Sequence, residues 1–230
     1  MRLRFQPWQL AVLVVALCAG AIAFARWRKL SQPYDAPQLL AALPGGDRNT
    51  MLFLDVAKLR DGGVLNLLAG SKATEEPDYR NFVDQTGFDY RNDLDALAAV
   101  FNQGRIYAAV RGRFEWPQLA AYARSQGGTC QYTICTMPAS SPERNISFYP
   151  IRKDVLALAI TPEERGVSSV SPSQNSQRNV PQDPIWFWIP RSALQNTASF
   201  PAGLQLLLAP LSEAQSIAIS AGPEIGRAHV

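Results

Sequence analysis

The run from Leu10 to Ala25, LAVLVVALCAGAIAFA, constrains this chain more than any other stretch, because it determines the compartment of everything that follows. It carries no charge, and at about 16 residues it falls just short of the roughly 17–25 that a membrane-spanning helix needs. Trp8 and Trp27 bracket the run, and cations follow it at Arg26, Arg28 and Lys29, which is typical of a retained helix. We therefore expect residues 1–29 to form a signal anchor.

A cleaved signal peptide is the alternative, since Arg2 and Arg4 precede the run and Ala21-Ile22-Ala23 and Ala23-Phe24-Ala25 both have the pattern of a cleavage site. The cations after the run would place the body in the cytoplasm, whereas the short amino-terminal tail favours export. Our expectation is a single-pass protein of the inner membrane, with the bulk of the chain in the periplasm and the membrane as one partner.

Charge does not point to nucleic acid. The 230 residues carry a formal net charge of +3, but five of the 22 basic residues flank the apolar run and Arg227 lies near the end of the chain. Residues 30–223 therefore hold 16 basic and 18 acidic residues, so we expect no basic face and no nucleic-acid partner.

The last seven residues, EIGRAHV from Glu224 to Val230, match the in-frame translation of a widely used sequencing-library adapter. We interpret residues 224–230 as an artefact and expect the natural chain to be longer. His229 is the only histidine, so the remaining chain has none.

Composition divides the body into four segments. Residues 30–50 hold Pro33, Pro37, Pro44 and Gly45-Gly46, and they are interpreted as a spacer. Residues 51–165 form an α+β lobe, residues 166–183 a Ser/Pro/Gln/Asn-rich loop or linker, and residues 184–223 the start of a second, truncated α+β lobe.

Periodicity predicts the elements inside these lobes. Residues 79–103 are expected to form two helices, separated at Thr86-Gly87-Phe88-Asp89. The second begins at Asn92 or Asp93, because Leu94, Leu97, Ala98 and Phe101 fall on one helical face, and it should fold back on the strand that begins at Arg105. A helix follows Pro117. Strands are predicted over residues 51–56, 105–114, 129–137, 146–151, 155–161, 185–189 and 216–220.

The predicted fold class is therefore α+β: an N-terminal transmembrane helix followed by antiparallel-sheet lobes with packed helices. The segments from Met51 and from Ile185 share the order of strand, polar turn and Leu-rich helix, but their residues match poorly, so both related and unrelated lobes stay open. The same order excludes a regularly alternating, doubly wound parallel sheet.

Two pairs of residues are candidates for special chemistry. Cys130 and Cys135 would form a disulfide if a hairpin turned between them, and would be free thiols on one continuous strand. Arg111 and Arg113 flank Gly112, so they could bind an anion, or could be surface arginines paired with Glu115 or Asp93.

Acids at Asp89, Asp93 and Asp95 are spaced as in a calcium loop, but Arg91 interrupts them and helix capping explains them better. We expect no metal and no cofactor.

No catalytic signature is present. Serine nucleophiles lack a histidine base, and the chain has no Gly-x-Ser-x-Gly elbow, P-loop or dinucleotide fingerprint. No catalytic residue is therefore assigned. A hydrolase that uses carboxylates, or a Ser/Lys pair such as Ser71 and Lys72, with decisive residues in the missing carboxyl-terminal part, is the alternative function.

Residues 51–161 resemble modules in uncharacterised single-pass, membrane-anchored envelope proteins of soil bacteria. The resemblance is carried by Thr86-Gly87-Phe88-Asp89, Asp93-Leu94 and Arg111-Gly112-Arg113-Phe114. It implies an envelope location and supplies no mechanism. Our expected function is a non-enzymatic, membrane-anchored envelope protein that binds a partner protein or another envelope component.

Overall fold

The structure is a computed structural model that describes residues 20, 24, 34–45, 48–65, 77–172, 182–195, 205 and 208–222. The chain divides into two compact units, residues 1–34 and 35–230. The fold described below is that of the second unit.

A nine-stranded antiparallel sheet forms the body, with the strand order β4-β5-β6-β7-β3-β2-β1-β8-β9. The first strand in sequence thus lies inside the sheet, between β2 and β8. The strands are β1 Thr50–Asp55, β2 Leu94–Asn102, β3 Arg105–Gly112, β4 Thr129–Gln131, β5 Ile134–Pro138, β6 Asn145–Arg152, β7 Val155–Thr161, β8 Ile185–Pro190 and β9 Ser216–Ala221.

Short helices connect and cover these strands. Among the described residues they are α1 Ala36–Ala41, α2 Val56–Asp61, α3 Pro77–Thr86, α4 Tyr90–Asp93, α5 Trp116–Ser125 and α6 Arg191–Leu194, with 3-10 turns at Gly166–Ser169 and Ala209–Leu211. Helix α1 begins with a capping box, because the Asp35 carboxylate accepts from the Gln38 N–H and the Gln38 side chain accepts from the Asp35 N–H.

The predicted fold class is wrong in its division of the chain into two lobes. The strands assigned to the two lobes belong to one sheet, because β8 pairs directly with β1 through Met51–Trp188 and Phe53–Trp186. No helix among the described residues is long and apolar enough to cross a bilayer. The predicted anchor, residues 1–29, lies outside the described residues apart from Gly20 and Phe24.

One face of the sheet, here called the back face, is closely packed. The alanines Ala98, Ala109 and Ala157 lie side by side on β2, β3 and β7, and all are fully buried. Ser147 on β6 accepts a hydrogen bond from the Val167 N–H, and Ser171 N–H donates to the Ala42 carbonyl. These bonds tie the first 3-10 turn and the end of α1 to this face, with Leu39 and Leu40 of α1 completely buried. Residues 35–43 are therefore part of the folded body.

The helix predicted from Asn92 to Gln103 is wrong. Only α4, from Tyr90 to Asp93, is helical, and Leu94 to Asn102 form β2. Ala98 and Val100 face the back, whereas Leu97 and Phe101 lie on the other face of the sheet, with Phe101 38% exposed. The strand is apolar on both faces because it lies inside the sheet, and such a run matches a helical pattern as well as a strand.

The continuous strand predicted over residues 129–137 is also wrong, because β4 and β5 form a hairpin that turns at Tyr132 and Thr133. Tyr132 has a positive φ of 55° and is 98% exposed. A two-residue hairpin turn with positive φ at its first residue normally carries glycine there. The usual sequence signal for the turn is therefore missing.

Candidate functional site

The second face of the sheet, here called the front face, is apolar from edge to edge. One row of directly opposed residues crosses all nine strands. From β9 to β4 the row contains Ile219, Phe187, Leu52, Ala99, Ala108, Leu158, Phe148, Cys135 and Cys130. A sheet face of this composition needs a cover, because leaving it in water forgoes about 25 cal/mol for each Å² of apolar surface.

Helices cover the two sides of the front face. Over β5 to β7, α5 buries Leu119, Ala120 and Ala123 against Cys135 and Phe148. Helix α3 joins this layer through Phe82, whose ring meets Tyr122 edge to face at 5.1 Å. Over β8 and β9, a smaller cluster joins Ile189 to Leu194 of α6 and to Leu208.

Between these two covers the front face carries large apolar side chains that are only partly buried. We call this set the central apolar patch, and it consists of Leu52, Leu54, Leu97, Phe101, Ile106 and Ile160. Ala99 and Ala108 lie directly opposite each other within it and are buried, so the patch has small side chains at its centre and larger ones around them. The patch spans four neighbouring strands, which is about 14 Å at the usual strand spacing. A contiguous, partly exposed apolar surface on a folded chain is a candidate binding surface.

Arg111 and Arg113 are held differently by the fold. Arg111 lies on the back-face side of β3, opposite Ala96 and Val155, and is half-buried. The Arg113 guanidinium donates to the Asp93 carboxylate at 2.9 Å, and its side chain is 68% exposed. Such a pair at the surface contributes little to stability.

The backbone donors around Gly112 are used inside the fold as well. The Gly112 N–H donates to the Asp154 carbonyl at 3.0 Å, and the Arg113 N–H donates to the Asp93 carbonyl at 2.9 Å. Glycine is required at position 112 by the close approach of the α4 backbone. Anion binding by the two arginines stays a prediction, and the structure supplies an intramolecular reason for the glycine between them.

The acids that were compared with a calcium loop form a capping network around α4. Asp89 accepts from the Arg91 N–H at 3.0 Å, from the Asn92 side chain at 2.8 Å and from the Tyr79 hydroxyl at 2.8 Å. Asp93 in turn accepts from the Asp89 N–H at 2.9 Å. Burial, and next the hydrogen bond to Asp89, raises the pKa of Tyr79, so this hydroxyl remains a donor. The network fixes the turn that leads into β2.

Cys130 and Cys135 are joined by a disulfide across the β4–β5 hairpin, with their Cα atoms 4.0 Å apart. They are directly opposed residues, and both sulfurs lie on the front face against α5. The bond closes the hairpin at one edge of the sheet.

The alternative catalytic pair, Ser71 and Lys72, lies outside the described residues. Within the described ranges, no group of three or more histidine, cysteine or carboxylate side chains could hold a metal ion.

The central apolar patch was not predicted, because it depends on long-range strand pairing. Two of its residues, Leu97 and Phe101, were assigned to a helix. A local signal does exist in β1, where Leu52 and Leu54 share one face while Met51 and Phe53 share the other. A strand that is apolar on both faces must be covered on both, and only long-range contacts show which cover is incomplete.

Comparison with known proteins adds two distant structural similarities. No protein-family model matches the chain, and no curated protein sequence matches it. Crystal form III of TP0453 is similar over 71% of this chain and 68% of that one, with 15% identity and a TM-score of 0.42. Crystal form IV of TP0453 is similar over 81% of this chain and 93% of that one, with 10% identity and a TM-score of 0.41. Similarities of this size support no argument about fold or function.

Proposed function

We propose that this chain is a non-enzymatic envelope protein that binds an apolar partner through the central apolar patch. The observation that carries the proposal is the partial exposure of six large apolar side chains between two helical covers, with Phe101 38% exposed. Apolar surface of this kind is ordinarily buried in a monomeric protein or used in binding.

An address outside the cytoplasm is part of the proposal, and the Cys130–Cys135 disulfide supports it. Disulfides form and persist in oxidising compartments and are rare in the reducing cytoplasm. Mass spectrometry of the protein from the native cell, alkylated before and after reduction, should show both thiols protected until reduction. Recovery of both as free thiols from freshly quenched cells would contradict the exported address.

Binding can be tested with the neutral fluorescent probe N-phenyl-1-naphthylamine, whose emission rises in apolar sites. Phe101→Glu places a charge in the patch at a position that is already partly solvated. The variant should fold and should bind the probe at least about tenfold more weakly, because burying an unpaired carboxylate against a ligand is costly.

Tyr132→Glu is the matched control, because this aromatic ring is also exposed but lies at the tip of the β4–β5 hairpin, away from the patch. Its probe affinity should equal that of the unmodified protein. Equal loss in both variants, or no loss in Phe101→Glu, would show that the probe does not report on the patch and would remove the basis of the proposal.

A further inference from the structure

The two ends of the central apolar patch differ in how their charges are paired. At the end near Leu54 and Leu97, each of four cations has a carboxylate partner within 3.5 Å. These ion pairs are Lys58–Asp55 at 3.5 Å, Arg60–Asp95 at 3.4 Å, Arg113–Asp93 at 2.9 Å and Arg152–Asp154 at 3.2 Å. Cations that are already paired add little attraction for a bound anion.

The opposite end, near Phe101, Ile106 and Ile160, holds an arginine that is not paired in this way. Arg105 there is bound to Glu163 at 2.7 Å. The Arg144 guanidinium, however, makes no ion pair or side-chain hydrogen bond with any residue in the described part of the chain. Its neighbour Glu143 is exposed and is not paired with it.

The Arg144 charge lies at the end of the sheet that holds Phe101, Ile106 and Ile160 of the patch. It lies two residues before Ile146, which faces the front through its pairing with Ile160 on β7. One guanidinium nitrogen of Arg144 lies 3.4 Å from the point that a Cβ atom on Gly104 would occupy, in the turn between β2 and β3. Since β6, β7 and β3 are neighbouring strands, this approach to Gly104 brings the guanidinium toward the end of the sheet that holds Phe101, Ile106 and Ile160.

We propose that the central apolar patch takes a single-chain anionic amphiphile, a fatty-acid carboxylate, with its alkyl chain on the patch and its head on Arg144. This inference rests on the proposed function and adds the charge and polarity of the ligand. The guanidinium offers parallel N–H donors that match a carboxylate, and a partly desolvated pair of this kind is stronger than one in water. Four cations at the far end are already paired with carboxylates, which weakens their attraction for the head group.

Displacement of N-phenyl-1-naphthylamine from the full chain by dodecanoate and by dodecanol tests the inference. Dodecanoate should displace the probe at least about tenfold better than the neutral alcohol, because only the carboxylate can pair with Arg144. Arg144→Gln should remove that preference by weakening dodecanoate about tenfold while leaving dodecanol unchanged, and Arg144→Lys should restore part of it. Arg152→Gln, which removes a paired arginine at the other end, should change the affinity of neither ligand.

The outcomes separate this inference from the proposed function. If dodecanoate and dodecanol displace the probe equally, or if Arg144→Gln weakens both alike, the anionic head is wrong and the apolar site remains. If the unmodified protein binds neither the probe nor the amphiphiles, the proposed function fails too. Binding only to vesicles of anionic phospholipid, with no displacement by dodecanoate, would overturn a free amphiphile as the occupant.

Discussion

Gly112 lies so close to the Asp93 carbonyl that a Cβ atom at position 112 would stand 2.4 Å from that oxygen. The contact joins the end of β3 to the end of α4, where the Arg113 N–H also donates to the same carbonyl. The backbone fixes the position of the added Cβ atom, and its partner is a backbone oxygen, so neither atom can rotate away.

Gly112→Ala should therefore destabilise the protein by about 2–4 kcal/mol, as expected for a substitution that forces backbone to shift. Gly127→Ala is the control, because Gly127 has a positive φ of 78° but open space around it. There the cost should be about 1 kcal/mol, from backbone conformation alone. The urea unfolding midpoints of the two variants show which substitution is more destabilising. A smaller loss of stability at position 112 would contradict the packing described for α4.

Phe101→Ala should cost less than about 1.5 kcal/mol, because more than a third of the side chain is already exposed. Leu40→Ala, in the completely buried part of α1, should cost about 2–5 kcal/mol through lost burial and the cavity left behind. Chemical denaturation measures the free energy of unfolding of both variants. The reverse order would mean that Phe101 is a core residue and that residues 35–43 are peripheral.

The Glu163 carboxylate should remain ionised well into acid. The hydrogen bond from Arg105, followed by a backbone hydrogen bond, lowers the pKa of Glu163 from 4.5 to about 2. Because the folded pKa lies below the unfolded one, the pair contributes stability above pH 4.5, and that contribution is lost as the pH falls from 4.5 to about 2. NMR titration of the carboxyl carbon measures it directly.

Arg105→Gln should return the pKa of Glu163 toward 4.5, because the lowering depends first on the guanidinium. A value that stays near 2 in this variant would assign the effect to the backbone donor instead. Arg152→Gln, which removes a cation paired with Asp154, is the matched control and should leave the Glu163 titration unchanged.

Local pattern predicted most of the strands, and pairing over long distances accounts for the errors. The segment 185–189, IWFWI, consists entirely of β-branched and aromatic residues and is a strand. Residues 94–101, LDALAAVF, are rich in alanine and leucine, which favour helices. They form a strand that lies inside the sheet, where Ala98 is completely buried opposite Ala109, and this burial is a property of the packed fold rather than of the segment.

The two predicted lobes fail for a related reason. The polar stretch after residue 166 has the composition of a linker, yet Gly166 and Val167 are buried and the Ser147 hydroxyl binds the Val167 N–H. The sequence of residues 185–190 does not identify their pairing partner, which is β1, more than a hundred positions earlier. The candidate site has the same origin, since the patch is assembled from β1, β2, β3 and β7.

The place of β1 between β2 and β8 has a consequence for the chain as it is synthesised. β2, β3, β6 and β7 can pair once residues up to 161 have entered the compartment where the chain folds, but one side of β1 stays open until residues 185–190 follow. Through that interval the nascent protein exposes the apolar sequence Met51-Leu52-Phe53-Leu54 with unpaired backbone donors and acceptors, a template for association with other chains. Holding the nascent chain away from its neighbours until β8 docks is therefore a requirement that the topology itself places on the cell.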